Sequence, residues 1–449
     1  MMNVLFVSLG CDKNRVDSEN MLGILVEKGY SITDDECDAD VIVINSCCFI
    51  GDAKEESINT ILEMAAYKEE GVGVCKALVV TGCLAQRYAK EIREELPEVD
   101  AIVGTTAYEH IDEIIQEAVS GNHPDSFESI DYLPETPHKR VVTTGGYYSY
   151  LKIAEGCNKC CTYCIIPKVR GHYRSVPLEE LIRQAKELVE GGVRELMLVA
   201  QETTLYGTDI YGKKSLVKLL EELSDLEELR WIRILYCYPE EIDEELAEAI
   251  ARLPKVCKYL DLPIQHASDA VLQRMGRRTT RKELEEKILM LREKIPGISL
   301  RTTLISGFPG ETEDDHKELV AFVKKMKFEH LGVFTYSREE DTPADLMEGH
   351  LPEEVKEKRR DQIMELQQEI SLEQTRKRVG TTLEVMIEGR IPEDDVYLGR
   401  TSMDAPDVDG YIFMDADRMR MSGDFVKVRV TGANEYDLIG EIIEDEFAE

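Results

Sequence analysis

The residues best suited to do chemistry are cysteines. In the run Gly156-Cys157-Asn158-Lys159-Cys160-Cys161-Thr162-Tyr163-Cys164-Ile165-Ile166-Pro167, three of them stand at Cys-x-x-x-Cys-x-x-Cys spacing: Cys157, Cys161 and Cys164. Three thiolates so close together can ligate three corners of a cubane iron–sulfur cluster, leaving the fourth iron open for a substrate or cofactor. Structural zinc is the alternative, but it wants four closed ligands, and no second Cys pair or His pair follows at finger spacing.

A second set is scattered in sequence but not in topology. Cys11 follows Val7-Ser8-Leu9-Gly10, Cys47 follows Asn45-Ser46, and Cys83 follows Thr81-Gly82. Each lies just past the carboxyl end of a predicted parallel strand, where the loops of an open α/β sheet converge on ligands. Singly, each would read as a buried, inert Cys; the shared placement argues that all three ligate one cluster. Cys48 and Cys160 neighbour proposed ligands and are the positions a misassignment would fall on. Cys37, Cys75, Cys237 and Cys257 have no partner at ligand spacing and read as small core residues.

The elements that must position these residues fall into three segments. The length of 449 residues suggests about three domains. From the start to about residue 120, the runs Val4–Val7, Val41–Ile44, Leu78–Val80 and Ala101–Val103 alternate with helix-length charged stretches, which predicts a parallel α/β sheet. Residues near 121–140 carry three prolines and no periodicity and read as a linker.

From about 145 to 375, candidate strands at Tyr150–Ala154, Glu195–Ala200, Trp231–Tyr236, Tyr259–Leu262, Leu300–Ile305 and Gly332–Thr335 alternate with helical stretches such as Leu178–Glu190 and Arg281–Lys294. Six βα units make a partial barrel, since a closed one needs eight. A charged helix over Glu353–Arg378 closes this domain or leads out of it. The last stretch, with β-rich runs at Leu383–Ile387, Val396–Leu398, Tyr411–Met414, Phe425–Val430 and Leu438–Ile442, predicts a five-stranded barrel of the oligonucleotide-binding kind. The fold class is therefore α/β multidomain with a small all-β carboxy-terminal barrel.

Composition narrows the setting. Apolar residues reach 43%, enough for buried cores. The opening apolar run is too short for a signal peptide, and no stretch approaches the ~20 apolar residues of a membrane span. A cytoplasmic enzyme with no membrane partner is expected, and in a reducing compartment the twelve Cys are not expected to form disulfides. With 89 acids against 54 bases the formal charge is −35, which argues against stable nucleic-acid binding through a general basic surface and suits a basic protein partner.

The Cys157–Cys164 motif, with the aromatic Tyr163 before its last Cys, resembles the signature of the radical S-adenosylmethionine (AdoMet) superfamily, whose fold is a six-unit partial barrel. That resemblance implies that AdoMet chelates the open iron and is cleaved to a deoxyadenosyl radical after one-electron reduction, so an electron donor is required. With two three-Cys sets, the whole chain resembles the methylthiotransferases, which join an amino-terminal cluster domain, a radical-AdoMet core and a small carboxy-terminal domain called TRAM. The implied boundaries are 1–120, a linker at 121–142, 143–378 and 379–449. The implied cofactors are two 4Fe-4S clusters and AdoMet, which acts as radical source and as methyl donor.

AdoMet contacts are expected at the carboxyl ends of barrel strands: Tyr163, Gln201 in Gln201-Glu202-Thr203, and Arg301 on the fifth strand. Gln265-His266 ends the fourth strand, with His266 either a contact or a structural hydrogen-bonder. Gly307-Phe308-Pro309-Gly310-Glu311 reads either as a close backbone approach to the cofactor or as a tight turn with a Glu at a helix start. No catalytic residue beyond the cluster ligands is identified.

Methylthiotransferases modify either a tRNA adenosine or an aspartate of small-subunit ribosomal protein S-twelve. From Gly380 to Glu449 there are 18 acids and six bases, a net of −12. A TRAM barrel that grips tRNA should carry a basic face, whereas an acidic one attracts a basic ribosomal protein. Ser8-Leu9-Gly10-Cys11-Asp12-Lys13-Asn14-Arg15-Val16-Asp17-Ser18-Glu19 and the acid-rich Gly399-Arg400-Thr401-Ser402-Met403-Asp404-Ala405-Pro406-Asp407-Val408-Asp409-Gly410 resemble the ribosomal-protein-modifying branch, although Asn45-Ser46-Cys47 departs from the commoner Asn-Thr-Cys. The expected reaction replaces a β-carbon hydrogen of that aspartate with a methylthio group, on the free protein or within the ribosome. The rival readings are the same chemistry on tRNA and, in a different class, a non-catalytic zinc-stabilised ribosome-binding protein.

Overall fold

The amino-terminal sheet is wholly parallel, because its strands are separated by helices long enough for crossovers. A computed structural model of the chain describes residues 2–137, 139–393, 395–415 and 419–443. The remaining positions, among them Asp394, Asp417, Arg418 and residues 444–449 of the charge count and the assigned barrel domain, lie outside the described residues.

Strands β1 (Asn3–Ser8), β2 (Ser31–Ile32), β3 (Val41–Ser46), β4 (Ala77–Gly82), β5 (Ala101–Val103) and β6 (Asp125–Ser126) lie in the order β2-β1-β3-β4-β5-β6. Every residue of β3, β4 and β5 is buried, which is why these strands read as unbroken apolar runs. Met21, Leu25, Ile111 and Ile115 cover one face. Ile61, Met64, Leu84 and Ile92 cover the other, joined there by Ile165 and Val169 of the next domain. The two-residue strands β2 and β6 carry no periodic signal, and β6 comes from the proline-bearing stretch read as a linker.

The second domain opens with β7 (Tyr148–Lys152) and a small antiparallel pair, β8 (Ala154–Glu155) with β9 (Arg174–Ser175). It continues through β10 (Glu195–Val199), β11 (Trp231–Ile234), β12 (Val256–Asp261), β13 (Ser299–Ser306) and β14 (His330–Thr335). The six long strands form one parallel sheet in the order β14-β13-β12-β11-β10-β7, the expected open six-unit barrel. Its convex face packs Leu151, Leu196, Leu198, Ile234, Leu260 and Leu300 against the surrounding helices. The concave face carries Tyr148, Tyr150, Met197, Val199, Trp231 and Tyr259. Helices at Leu178–Glu190 and Arg281–Lys294 occupy the predicted spans, and the charged helix ends at Arg376, two residues earlier than expected.

The third domain is a closed barrel of β15 (Thr382–Ile391), β16 (Val396–Thr401), β17 (Ile412–Asp415), β18 (Phe425–Ala433) and β19 (Leu438–Ile443), ordered β15-β16-β17-β19-β18. It packs on the concave face of the second domain: Met386, Ala405 and Phe425 join the tyrosine cluster there, with the Phe425 and Trp231 ring centroids 4.9 Å apart. Polar contacts fix the register of this docking. Arg400 donates to Glu195 at 2.5 Å, Glu195 also accepts from Arg233 at 2.8 Å, and Arg233 reaches the Ser402 carbonyl at 3.0 Å. Asp409 accepts from Tyr259 Oη at 2.8 Å and from Arg301 at 2.5 Å.

Candidate active site

Cys11, Cys47 and Cys83 stand immediately past the carboxyl ends of the adjacent strands β1, β3 and β4, as the spacing predicts. Two glycines let these strand ends crowd together. Gly10 has φ +86°, and a Cβ there would lie 2.9 Å from Cys47 Sγ; Gly82 has φ +91°, and a Cβ there would lie 2.3 Å from Asn45 Oδ1. Both conformations belong to glycine.

Asn14, fully buried in the helix Asp12–Glu27, ties the three ends together. Its Nδ2 donates to Leu9 O and Ser46 O, both at 3.1 Å, and its Oδ1 lies 3.9 Å from Cys83 Sγ. Ser57 Oγ accepts from Cys47 N at 3.0 Å and donates to Cys47 O at 2.9 Å.

Cys157, Cys161 and Cys164 occupy the loop after β8. Cys161 Sγ lies 2.7 Å from Tyr238 Oη, and Cys157 Sγ accepts from Lys159 N at 3.5 Å. Tyr238 is flanked by Arg277, 4.0 Å from its ring centroid, and by Lys159 at 4.7 Å. The intervening Cys160 adopts φ +54° and is exposed, so the loop turns its thiol away from the buried Cys157 and Cys161.

One buried guanidinium joins the two sets. Arg170, which is 2% exposed, donates from Nε to Cys83 Sγ at 3.4 Å, from Nη2 to Asn14 Oδ1 at 2.5 Å, and from Nη1 to Asp17 at 2.7 Å and Glu155 at 3.2 Å. Lys152 pairs with the same two carboxylates. Burial alone would raise the Glu155 pKa, but Lys152 and Arg170 outweigh it and hold the carboxyl below its ordinary range. Glu155 also accepts from Gln201 Nε2 at 2.7 Å and from Gly156 N at 3.3 Å. The network therefore runs from a cysteine of the first set to the residue before Gly156-Cys157.

Of the expected AdoMet contacts, the structure brings two near the Cys157–Cys164 loop. Tyr163 meets Phe308 edge-on at 6.3 Å, and burial holds its hydroxyl well above its ordinary pKa. Gln201 follows β10, with its carbonyl Oε1 buried and unpartnered. Arg301 does not join them. It is the third of eight residues in β13, about 16 Å below the strand's end at 3.3 Å per residue, and its guanidinium is committed to Asp409 and the Val408 carbonyl.

His266 is fully buried, accepts from Ser268 N through Nδ1 at 2.9 Å, and has its pKa lowered to about 3 by burial. It is a structural hydrogen-bonder. In the Gly307–Glu311 turn, Glu311 accepts from Gly307 N at 2.7 Å and Phe308 N at 3.1 Å, and pairs with Arg359 at 2.8 Å, which is the tight-turn reading. Cys48 is packed in the apolar core beneath the first set. Sequence reasoning missed Asn14, Arg170, Tyr236 and Tyr238. Their partners Ser46, Asp17, Asp12 and Cys161 are 32 to 224 residues away, beyond any periodicity.

The donor sets fit iron–sulfur clusters. Burial first, and neighbouring thiols second, push Cys47 up to about 12; burial also raises Cys83 and Cys164 and takes Cys157 to about 11. Such gathered thiols stay protonated until a cationic centre takes them as thiolates. Among the described residues no three His, Cys, Asp or Glu side chains converge tightly enough for a single metal ion; the corners of a cubane hold thiolates wider apart than one ion does.

Comparison with known proteins extends over the whole chain. Residues 3–104 match the model described as Uncharacterized protein family UPF0004, residues 151–323 the Radical SAM superfamily, and residues 379–443 the TRAM domain. A protein of Lachnoclostridium phytofermentans named ribosomal protein uS12 methylthiotransferase RimO is 59% identical over 98% of this chain and 99% of its own. One of Clostridioides difficile with the same name is 50% identical over 99% of each chain. Among solved structures, the radical S-adenosylmethionine methyltransferase TsrM from Kitasatospora setae is similar in fold, with TM-score 0.54 and 15% identity over 85% of this chain and 77% of that one.

Proposed function

This chain belongs to the family of ribosomal protein uS12 methylthiotransferases named RimO, and from that premise we propose how its residues divide the work. The enzyme transfers a methylthio group to uS12 by radical AdoMet chemistry with two 4Fe-4S clusters. Cys157, Cys161 and Cys164 hold the cluster that presents AdoMet, and Cys11, Cys47 and Cys83 hold the second. The acceptor is the β-carbon of an aspartate. When bound, the clusters and AdoMet supply hydrogen-atom abstraction, sulfur and the methyl group.

The observation that carries this division is the single buried network linking Cys83 through Arg170 to Glu155 and the Gly156-Cys157 turn. It fixes two three-thiol sets in one frame, the spatial requirement of a reaction that cuts a C–H bond at one and delivers sulfur from the other. Tyr238 orients Cys161 through its hydroxyl. Tyr163 anchors the loop by packing edge-on against the fully buried Phe308, and the unpartnered Oε1 of Gln201 is an acceptor for a cationic group placed there. The carboxy-terminal barrel covers the concave face from below and excludes water from it.

The substrate choice follows charge. A chain of net −35 with an acid-rich barrel draws in a basic protein and repels phosphates. We place the reaction in the cytoplasm with a one-electron donor, on uS12 free or assembled. No helix among the described residues is long and apolar enough to cross a membrane. The test is a competition under anaerobic conditions. Reconstituted enzyme, AdoMet, sulfide and reductant meet uS12 and unmodified tRNA together, and both products are analysed by mass spectrometry. The expected outcome is a methylthio gain on one aspartyl peptide and none on RNA; a gain on adenosine instead would refute the proposed acceptor.

A further inference from the structure

Beside the first cysteine set, among the described residues, lies a buried cation with no direct ion pair. Lys13 lies two residues after Cys11 on the inward side of the helix Asp12–Glu27 and is 6% exposed. Among the described residues its ammonium makes no hydrogen bond or ion pair. It sits instead 3.2 Å from the ring centroid of Tyr236, just past the carboxyl end of β11. The nearby carboxylates bond Tyr236 and not the ammonium: Asp12 accepts from Tyr236 Oη and Asp261 from Tyr236 N, each at 3.0 Å, and Asp261 feels the Lys13 charge only from beyond ion-pair distance. Tyr236 itself is held at φ +58°, a conformation a non-glycine residue keeps only where its surroundings over-determine it.

A buried ammonium that rests on a ring face, with Asp261 acting on it only at a distance, lacks the direct hydrogen-bonded anion that normally accompanies a buried cation. Its position answers a problem set by the proposed substrate. An acid-rich enzyme repels the aspartate it must modify, and the reacting β-carbon is bonded directly to that carboxylate. We propose that Lys13 is the receptor for the substrate's carboxylate: its ammonium pairs with the aspartate side chain, places the β-carbon between the two cysteine sets, and makes the enzyme select aspartate over asparagine. Tyr236 holds the ammonium in place from below. This inference rests on the function proposed above.

The test uses cluster-loaded full-length enzyme with a basic uS12 loop peptide carrying the target aspartate, and the same peptide with Asn in its place. For the unaltered enzyme, the Asn peptide should lose about 10- to 100-fold in kcat/KM, the range of a charge-assisted hydrogen bond. Lys13→Met should raise KM for the aspartyl peptide by a similar factor and erase discrimination between the two peptides, while its iron, sulfide and peptide-independent AdoMet cleavage stay at the unaltered level. Lys13→Arg should retain part of the discrimination.

Equal use of both peptides by the unaltered enzyme overturns the proposal without any variant. So does Lys13→Met discriminating as before. A Lys13→Met protein that fails to load its clusters shifts the decision to Lys13→Arg and to the peptide pair on the unaltered enzyme. Failure of the functional reading is a different result, namely no methylthio product on the aspartyl peptide from the unaltered enzyme.

Discussion

Replacing Arg170 with Gln should destabilise the chain far more than the loss of one hydrogen-bonding side chain suggests. Arg170 and Lys152 face Asp17 and Glu155 in a cluster of two cations and two anions whose side chains are all less than 10% exposed. Removing one cation leaves a net buried negative charge. Breaking such a pair from one side costs about 3–5 kcal/mol. At ~2–4 °C per kcal/mol for units of 150–250 residues, the unfolding midpoint should fall by ~6–20 °C. Adding Asp17→Asn to Arg170→Gln removes the orphaned charge and should recover most of the loss. The assay is anaerobic calorimetry on the single and double variants, with Asp17→Asn alone closing the cycle. If Arg170→Gln unfolds within about 1 kcal/mol of the unaltered protein, or if the two losses simply add, the reasoning about a balanced buried charge cluster is wrong.

Two further expectations follow from the same geometry. Cys160→Ala and Cys48→Ala should leave both clusters loaded, because one thiol is turned outward and the other is packed in the core, whereas Cys164→Ala should lose the AdoMet-cleaving cluster; iron and sulfide analysis with deoxyadenosine assay decides. His330 gives the barrel docking a pH dependence. Burial alone would lower its pKa, but Asp409 and Asp404, at 3.3 and 3.4 Å, outweigh it and raise it. A raised pKa means the stabilisation is complete below the unfolded value of about 6.5 and is lost as pH climbs through the folded value. Proteolysis at the 377–381 junction should therefore quicken as pH rises above about 6.5, and His330→Gln should abolish that slope; an unchanged slope would show that another group carries it.

The long strands and both cysteine sets are legible in the sequence because each depends on local pattern. Strands β3 and β4 are buried on both faces and announce themselves as unbroken apolar runs, so the positions of Cys47 and Cys83 past their ends follow directly. Strands β2 and β6 are two residues long and leave no pattern to read. Arg301 shows a different limit. Its strand is evident, but which end of a strand a residue occupies depends on where the strand begins, and β13 begins at Ser299. Arg170, Asn14 and Lys13 owe their roles to long-range contacts, and as a lone Arg, Asn and Lys they have no spacing that could mark them.

The docking of the carboxy-terminal barrel changes what the second domain's cavity is. With Asp409 reaching Tyr259, Arg301 and His330, and Arg400 buried against Glu195, the loop between β16 and β17 acts as a stopper in the lower end of an open-sided tube. A peptide strand cannot be threaded out through that lower end; a substrate has to reach the cysteine loops from elsewhere. The docked barrel thus limits the directions from which a substrate can approach, a restriction that no side chain at the reaction centre needs to impose.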